Sequence, residues 1–128
     1  MNALTQEWID RAEGDYLMAQ LAMSAGDTPI PEGVCFHAQQ CAEKYLKAYL
    51  QEQFVEFPFR HQLMPLLDLC LPFDPRFGDL RAMLSELDGY AVATRYPGLT
   101  ISLEMAISAL DSAQRVRQFI RGNLLADA

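Results

Sequence analysis

Phe36-His37-Ala38-Gln39-Gln40-Cys41-Ala42-Glu43-Lys44-Tyr45-Leu46-Lys47-Ala48-Tyr49-Leu50 is an unbroken run of helix-forming residues without Gly or Pro. At ~100° per residue, with His37 at zero, Val34, Cys35, Ala38, Cys41, Ala42, Tyr45, Leu46, Ala48 and Tyr49 fill an arc of roughly 20° to 180°. Gln40, Glu43, Lys44 and Lys47 fall between roughly 240° and 340°, with His37 on the border. The spacing predicts a core-facing helix over about Val34 to Gln53 with one polar edge. Taken alone, that edge is a solvated face with ordinary i, i+4 pairs such as Glu43 with Lys47.

Pro and Gly divide the rest into further helical pieces. A first helix is expected from about Thr5 to Ser24, capped by Thr5, with Glu7 in its first turn and a stripe of Trp8, Ile9, Ala12, Tyr16, Ala19 and Met23. A short helix is expected near Leu63 to Leu71, where Pro65 fits only the first turn. A fourth covers about Phe77 to Thr94 and stops before Pro97 and Gly98. The last begins near Thr100 or Ser102 and ends around Gly122, burying Leu103, Ala106, Ile107, Leu110, Ala113, Val116 and Ile120. No stretch alternates with period two, so no strands are indicated. The expected fold is all-α: an antiparallel bundle of four long helices plus a short one, as one domain over residues 1–128.

Composition narrows the function. Ten Lys and Arg against seventeen Asp and Glu give a net charge of −7, which disfavours non-specific contact with duplex DNA. Six of the acids and a single Arg lie in residues 1–32, whereas Lys44, Lys47, Arg95, Arg115, Arg117 and Arg121 cluster later. No apolar run reaches the ~20 residues of a membrane span, and the N-terminus lacks the pattern of a signal peptide. A cytoplasmic location is therefore expected. Cys35, Cys41 and Cys70 fit neither a disulfide framework nor a zinc knuckle and are expected to be reduced and buried. No metal or cofactor is expected.

The order of residues adds more than the wheel. The run Phe36 to Ala48 resembles the signature helix of HEPN-domain proteins, whose pattern reads F-H-x-Q-Q-x-A-E-K-x-L-K-A. Arg60 to Leu67 resembles the family's T-H-x-L-x-x-L-L segment, with Arg60 in place of Thr. Tyr90 to Pro97 resembles its Y-x-x-x-R-Y-P segment, and Trp8, Ala12 and Asp15 its opening W-x-x-x-A-x-x-D. The resemblance implies a short helical bundle, a homodimer, and a frequent pairing with a minimal nucleotidyltransferase, some pairs acting as toxin and antitoxin. It also implies, for catalytic members, a metal-independent endoribonuclease with an Arg four to six residues before a His. Such cleavage needs an acid or base that works near neutrality, which His supplies, and a fixed cation for the phosphate, which Arg supplies.

Neither His37 nor His61 has an Arg at that spacing, and Tyr96 to Ser102 contain no His. The expectation leans towards a non-catalytic module. It would bind a nucleotide, a short RNA or a nucleotidyltransferase partner through His37, Gln40, Glu43, Lys44, Lys47, Arg95 and Tyr96. The first alternative is a divergent endoribonuclease using His37 or His61 beside Arg95. The second is a dimerisation scaffold without ligand. For Arg95 and Tyr96 the structural alternative is a helix cap and a core-sealing ring. Arg117 and Arg121 either enter a cleft or dimer seam, or pair with a carboxylate.

Overall fold

A computed structural model describes residues 1–94 and 96–125. Its order is α1 (Ala3–Met23), α2 (Pro31–Glu52), α3 (Leu63–Cys70), a 3-10 helix (Pro75–Leu80), α4 (Arg81–Ala93) and α5 (Leu103–Leu125). The architecture is the expected all-α bundle. No helix among the described residues is long and apolar enough to cross a membrane.

The middle of the bundle is α2, which packs against all four other α-helices. Its apolar arc is buried as the wheel predicts: Val34, Cys35, Ala38, Cys41, Ala42, Tyr45, Leu46, Ala48 and Tyr49 are all in the core. Pro31 starts it at a position where the missing N–H is not needed. The cysteines are free and buried.

The helix boundaries and one buried stripe differ from expectation. The start of α1 is capped by Asn2, not Thr5: Asn2 Oδ1 accepts from the Thr5 amide at 2.8 Å. Thr5 is buried instead, with its hydroxyl 2.9 Å from Asn2 Oδ1 and 2.9 Å from Glu52 Oε1 at the far end of α2. Glu7 consequently lies beyond the first turn. Pro31 extends α2 three residues earlier than Val34.

The expected helix over Phe77 to Thr94 is two elements. Asp74 accepts from the Arg76 amide at 3.0 Å and opens a 3-10 helix rather than an α-helix. In that tighter winding residues three apart eclipse, so Phe77 and Leu80 reach the core together.

In α5 the buried stripe is rotated. Leu103 and Ile107 are exposed, the latter by 55%, and Leu110 is half-buried. Ala109 and Ser112 join Ala106, Ala113, Val116 and Ile120 inside. α5 packs mainly against α2, and small side chains on the shared face let two helices approach closely. Ser102 Oγ accepts from the Met105 amide at 3.1 Å and sets where α5 starts.

Candidate functional site

The polar edge of α2 is drawn into two carboxylate-centred clusters. In the first, Asp15 projects from the buried stripe of α1, aligned with Ala12 and Ala19. Its Oδ1 lies 2.8 Å from His37 Nδ1, and its Oδ2 accepts from Lys44 Nζ. The Phe36 ring stands edge-on to the His37 ring at 5.1 Å. One α1 carboxylate therefore holds the two α2 side chains, Lys44 through a part-buried, charge-assisted bond.

The second cluster centres on Glu43. The wheel places Glu43 and Lys47 on an outward edge, but both are buried. Trp8 of α1 and Phe57 of the following loop cover that edge, with Lys47 Nζ 5.4 Å and 5.8 Å from their ring centroids. Lys47 Nζ donates to Glu43 Oε2 at 3.0 Å, and His61 Nδ1 lies 3.2 Å from Glu43 Oε1. The i, i+4 pair expected from the sequence exists, as a buried pair rather than a solvated one. Gln39 Nε2 donates to the His61 carbonyl at 2.6 Å, and Gln40 Nε2 to Gln39 Oε1 at 2.8 Å.

Beside His61 lies a cavity of ≈ 380 Å³. Gln39, His61, Gln62 and Asp88 give it a polar side; Met64, Pro65, Ala91 and Val92 give it an apolar one. Asp88 accepts from the Leu63 amide with both oxygens at 3.0 Å, which also caps α3. Burial holds its carboxyl above the ordinary Asp value, against the pull of those amide bonds. A carboxylate retains acceptor capacity beyond two such bonds, so Asp88 can take a further donor from a ligand.

The structure brings His37 and Lys44 together on Asp15, and Lys47 and His61 together on Glu43. Gln40 links towards the second cluster through Gln39. Tyr96 is exposed and does not seal the core. Arg95 lies outside the described residues. Arg117 and Arg121 have the carboxylate partner: Glu13 receives Arg117 at 2.7 Å and 2.6 Å and Arg121 at 3.1 Å. The Arg117 guanidinium also stacks over Tyr16 at 4.9 Å. Hydrogen bonding from Arg117 holds the Glu13 carboxyl below its ordinary value. No group of three or more His, Cys, Asp or Glu among the described residues is placed to hold a metal ion.

Sequence reasoning missed Asp15, Gln39, Gln62 and Asp88 as site residues. Two of them carried a signal. Asp15 shares the stripe of Ala12 and Ala19, and Asp88 sits one turn after Leu84. An acid on a core-facing stripe needs a partner, because burying an unpaired charge is costly.

The chain resembles the structure of TT1696 from Thermus thermophilus, at 30% identity and a TM-score of 0.76 over 91% of this chain and 95% of that one. It also resembles ST0689, an archaeal HEPN homologue, at 28% identity and a TM-score of 0.73 over 93% of this chain and 96% of that one. Comparison with curated proteins returns no match. The family model of the HEPN domain matches residues 5–123, which reach into all five α-helices and include both carboxylate clusters, and the chain therefore belongs to the HEPN family.

Proposed function

We propose that this HEPN protein is a non-catalytic, homodimeric binding module whose ligand is a nucleotide, with a nucleotidyltransferase as partner protein. One observation carries the reading. The histidines and lysines of the two clusters are each engaged by a carboxylate: His37 and Lys44 of α2 by Asp15, and Lys47 of α2 and His61 of the loop before α3 by Glu43. A nuclease built on this edge needs a cation left over for the scissile phosphate. Lys44 and Lys47 of α2 are each already paired with a carboxylate. The cavity beside His61 suits recognition instead, with Met64, Pro65, Ala91 and Val92 as an apolar side for a base and Asp88 and Gln39 for its polar edge. Arg95, just after Val92 in the chain, is the residue offered for the phosphates. Exposed Leu17, Met18 and Leu21 on α1, and Leu103 and Ile107 on α5, support a covered face in a homodimer.

Calorimetry with ATP and the other ribonucleotides tests the reading. Binding is expected, weakened by Asp88→Ala and by Arg95→Ala. Absence of heat with every nucleotide removes the nucleotide and leaves the partner protein, checked by co-purification with a nucleotidyltransferase encoded beside it.

A divergent endoribonuclease, acting as the toxin of a pair, is the second reading. It is favoured by His61, whose side chain is 64% exposed at the mouth of the cavity. Incubation with single-stranded RNA in EDTA separates the two. Cleavage that His61→Ala abolishes would establish the enzyme and end the non-catalytic reading.

A further inference from the structure

A second concave surface, with none of the histidines in its lining, lies where the start of α1 meets the end of α2. Leu4 and Trp8 of α1 form one wall, and Phe54, Val55, Phe57 and Phe59 of the loop after α2 form the other. This groove holds ≈ 710 Å³ and runs into a second hollow of ≈ 260 Å³ that shares Leu4 and Trp8. Phe54 and Phe59 stand 84% and 101% exposed.

The backbone shows that this exposure is costly. α2 ends with the Val55 amide donating to the Leu50 carbonyl at 3.0 Å and the Phe54 amide to the Gln51 carbonyl at 3.2 Å. Phe54 thereby occupies the left-handed position that closes a helix, at φ 58°. Glycine takes that conformation without strain, and a side chain with a Cβ does not. Phe54 is both strained and unburied, so the folded chain alone gives no reason for its being Phe. Strained residues of this kind gather where a surface engages a ligand.

Charge selects the occupant. The two hollows are lined by Glu7 and Glu56, and the one cation among their lining residues, Arg11, is paired to Glu7 at 3.4 Å. Glu56 is exposed and has no cation beside it among the residues that line the groove. A second copy seated groove to groove would set Glu56 against Glu56, and an anionic lipid or nucleic acid would meet the same repulsion. We propose that this groove docks a cationic amphipathic segment of a partner protein, its apolar side chains seated on Trp8, Phe54, Phe57 and Phe59 and its Lys or Arg side chains on Glu7 and Glu56. The proposal stands independently of the nucleotide reading.

Trp8 is the chain's single Trp, so its emission reports on the groove directly. The probe is a Trp-free amphipathic helix of Leu and Lys, and the control is its Leu and Glu counterpart with the same apolar face. The Lys peptide is expected to shift Trp8 emission saturably and the Glu peptide not to. Phe59→Ala and Phe54→Gly are expected to weaken binding at least about tenfold, as loss of a central aromatic anchor does. Phe54→Gly removes the strain, so its lost binding cannot be ascribed to a lost fold. An unchanged emission, equal binding of both peptides, or binding indifferent to Phe54→Gly and Phe59→Ala overturns the proposal. So does a self-association in sedimentation that Phe59→Ala abolishes, since the occupant is then a second copy.

Discussion

Replacing Glu43 with Leu strands the Lys47 ammonium in the bundle. The two side chains are 3% and 6% exposed, and their atoms meet at 3.0 Å. Removing one partner of a buried pair costs about 3–5 kcal/mol because the other charge loses its compensation. The faces of Trp8 and Phe57, at 5.4 Å and 5.8 Å from Nζ, return about 1 kcal/mol of that. Glu43→Leu should therefore cost about 3 kcal/mol. Lys47→Met should cost about 2 kcal/mol, less because Glu43 keeps His61 at 3.2 Å. Against the ~5–15 kcal/mol stability of ordinary domains, each is a large loss, visible as a melting shift on the order of 10 °C for Glu43→Leu. The double variant is the decisive case. Replacing a buried pair by apolar groups of similar volume is often neutral, so Glu43→Leu with Lys47→Met should lie within about 1–2 kcal/mol of the parent. The coupling would be roughly 3 kcal/mol. Urea unfolding followed by circular dichroism at constant m-value measures all four corners of the cycle. Single losses under about 1 kcal/mol that simply add would show that the pair is solvated, refuting the burial argument.

Three further outcomes follow from the same contacts. Glu13 is held below its ordinary value of 4.5 by Arg117, so its contribution is present above that pH and lost as pH falls through the depressed folded-state value. Arg117→Met should cost about 1 kcal/mol at neutrality, and the loss should shrink as the pH falls below the ordinary Glu value, as urea titrations at several pH values would record. Burial pushes the thiols of Cys35 and Cys70 up to about 12, and Cys41 up as well, so a disulfide thiol reagent should leave the native protein unmodified and label all three cysteines on unfolding. A rapidly labelled thiol in the native state would contradict this. Asn2→Ala removes the cap of α1 and the bond that its Nδ2 donates to the Gln51 carbonyl at the end of α2, and should cost about 1 kcal/mol in urea unfolding, whereas the neighbouring Ala3→Ser should cost little.

Whatever repeats along a helix was legible in the sequence. The α2 arc from Val34 to Tyr49 names its own buried residues, because large apolar groups recur on one side. The order of four motifs pointed to the family. The error in α5 shows where this stops. Leu103 and Ile107 read as inward because they are among the most apolar residues of α5, but the small residues Ala106, Ala109 and Ser112 are the ones buried. Periodicity locates a stripe, and the fit between two helix surfaces chooses which stripe is used.

The residues in their order were enough to establish a helical bundle, a core-facing α2, and the lack of an Arg-to-His ribonuclease spacing. Where the polar edge of α2 goes depended on packing. Trp8 and Phe57 come from elsewhere in the chain to close over Lys47, and Asp15 comes from α1 to engage His37 and Lys44. A helical wheel carries one helix's own geometry and nothing of what packs against it. A charge counted as solvated on the wheel, such as Lys47, therefore becomes part of a buried pair once its neighbours are in place.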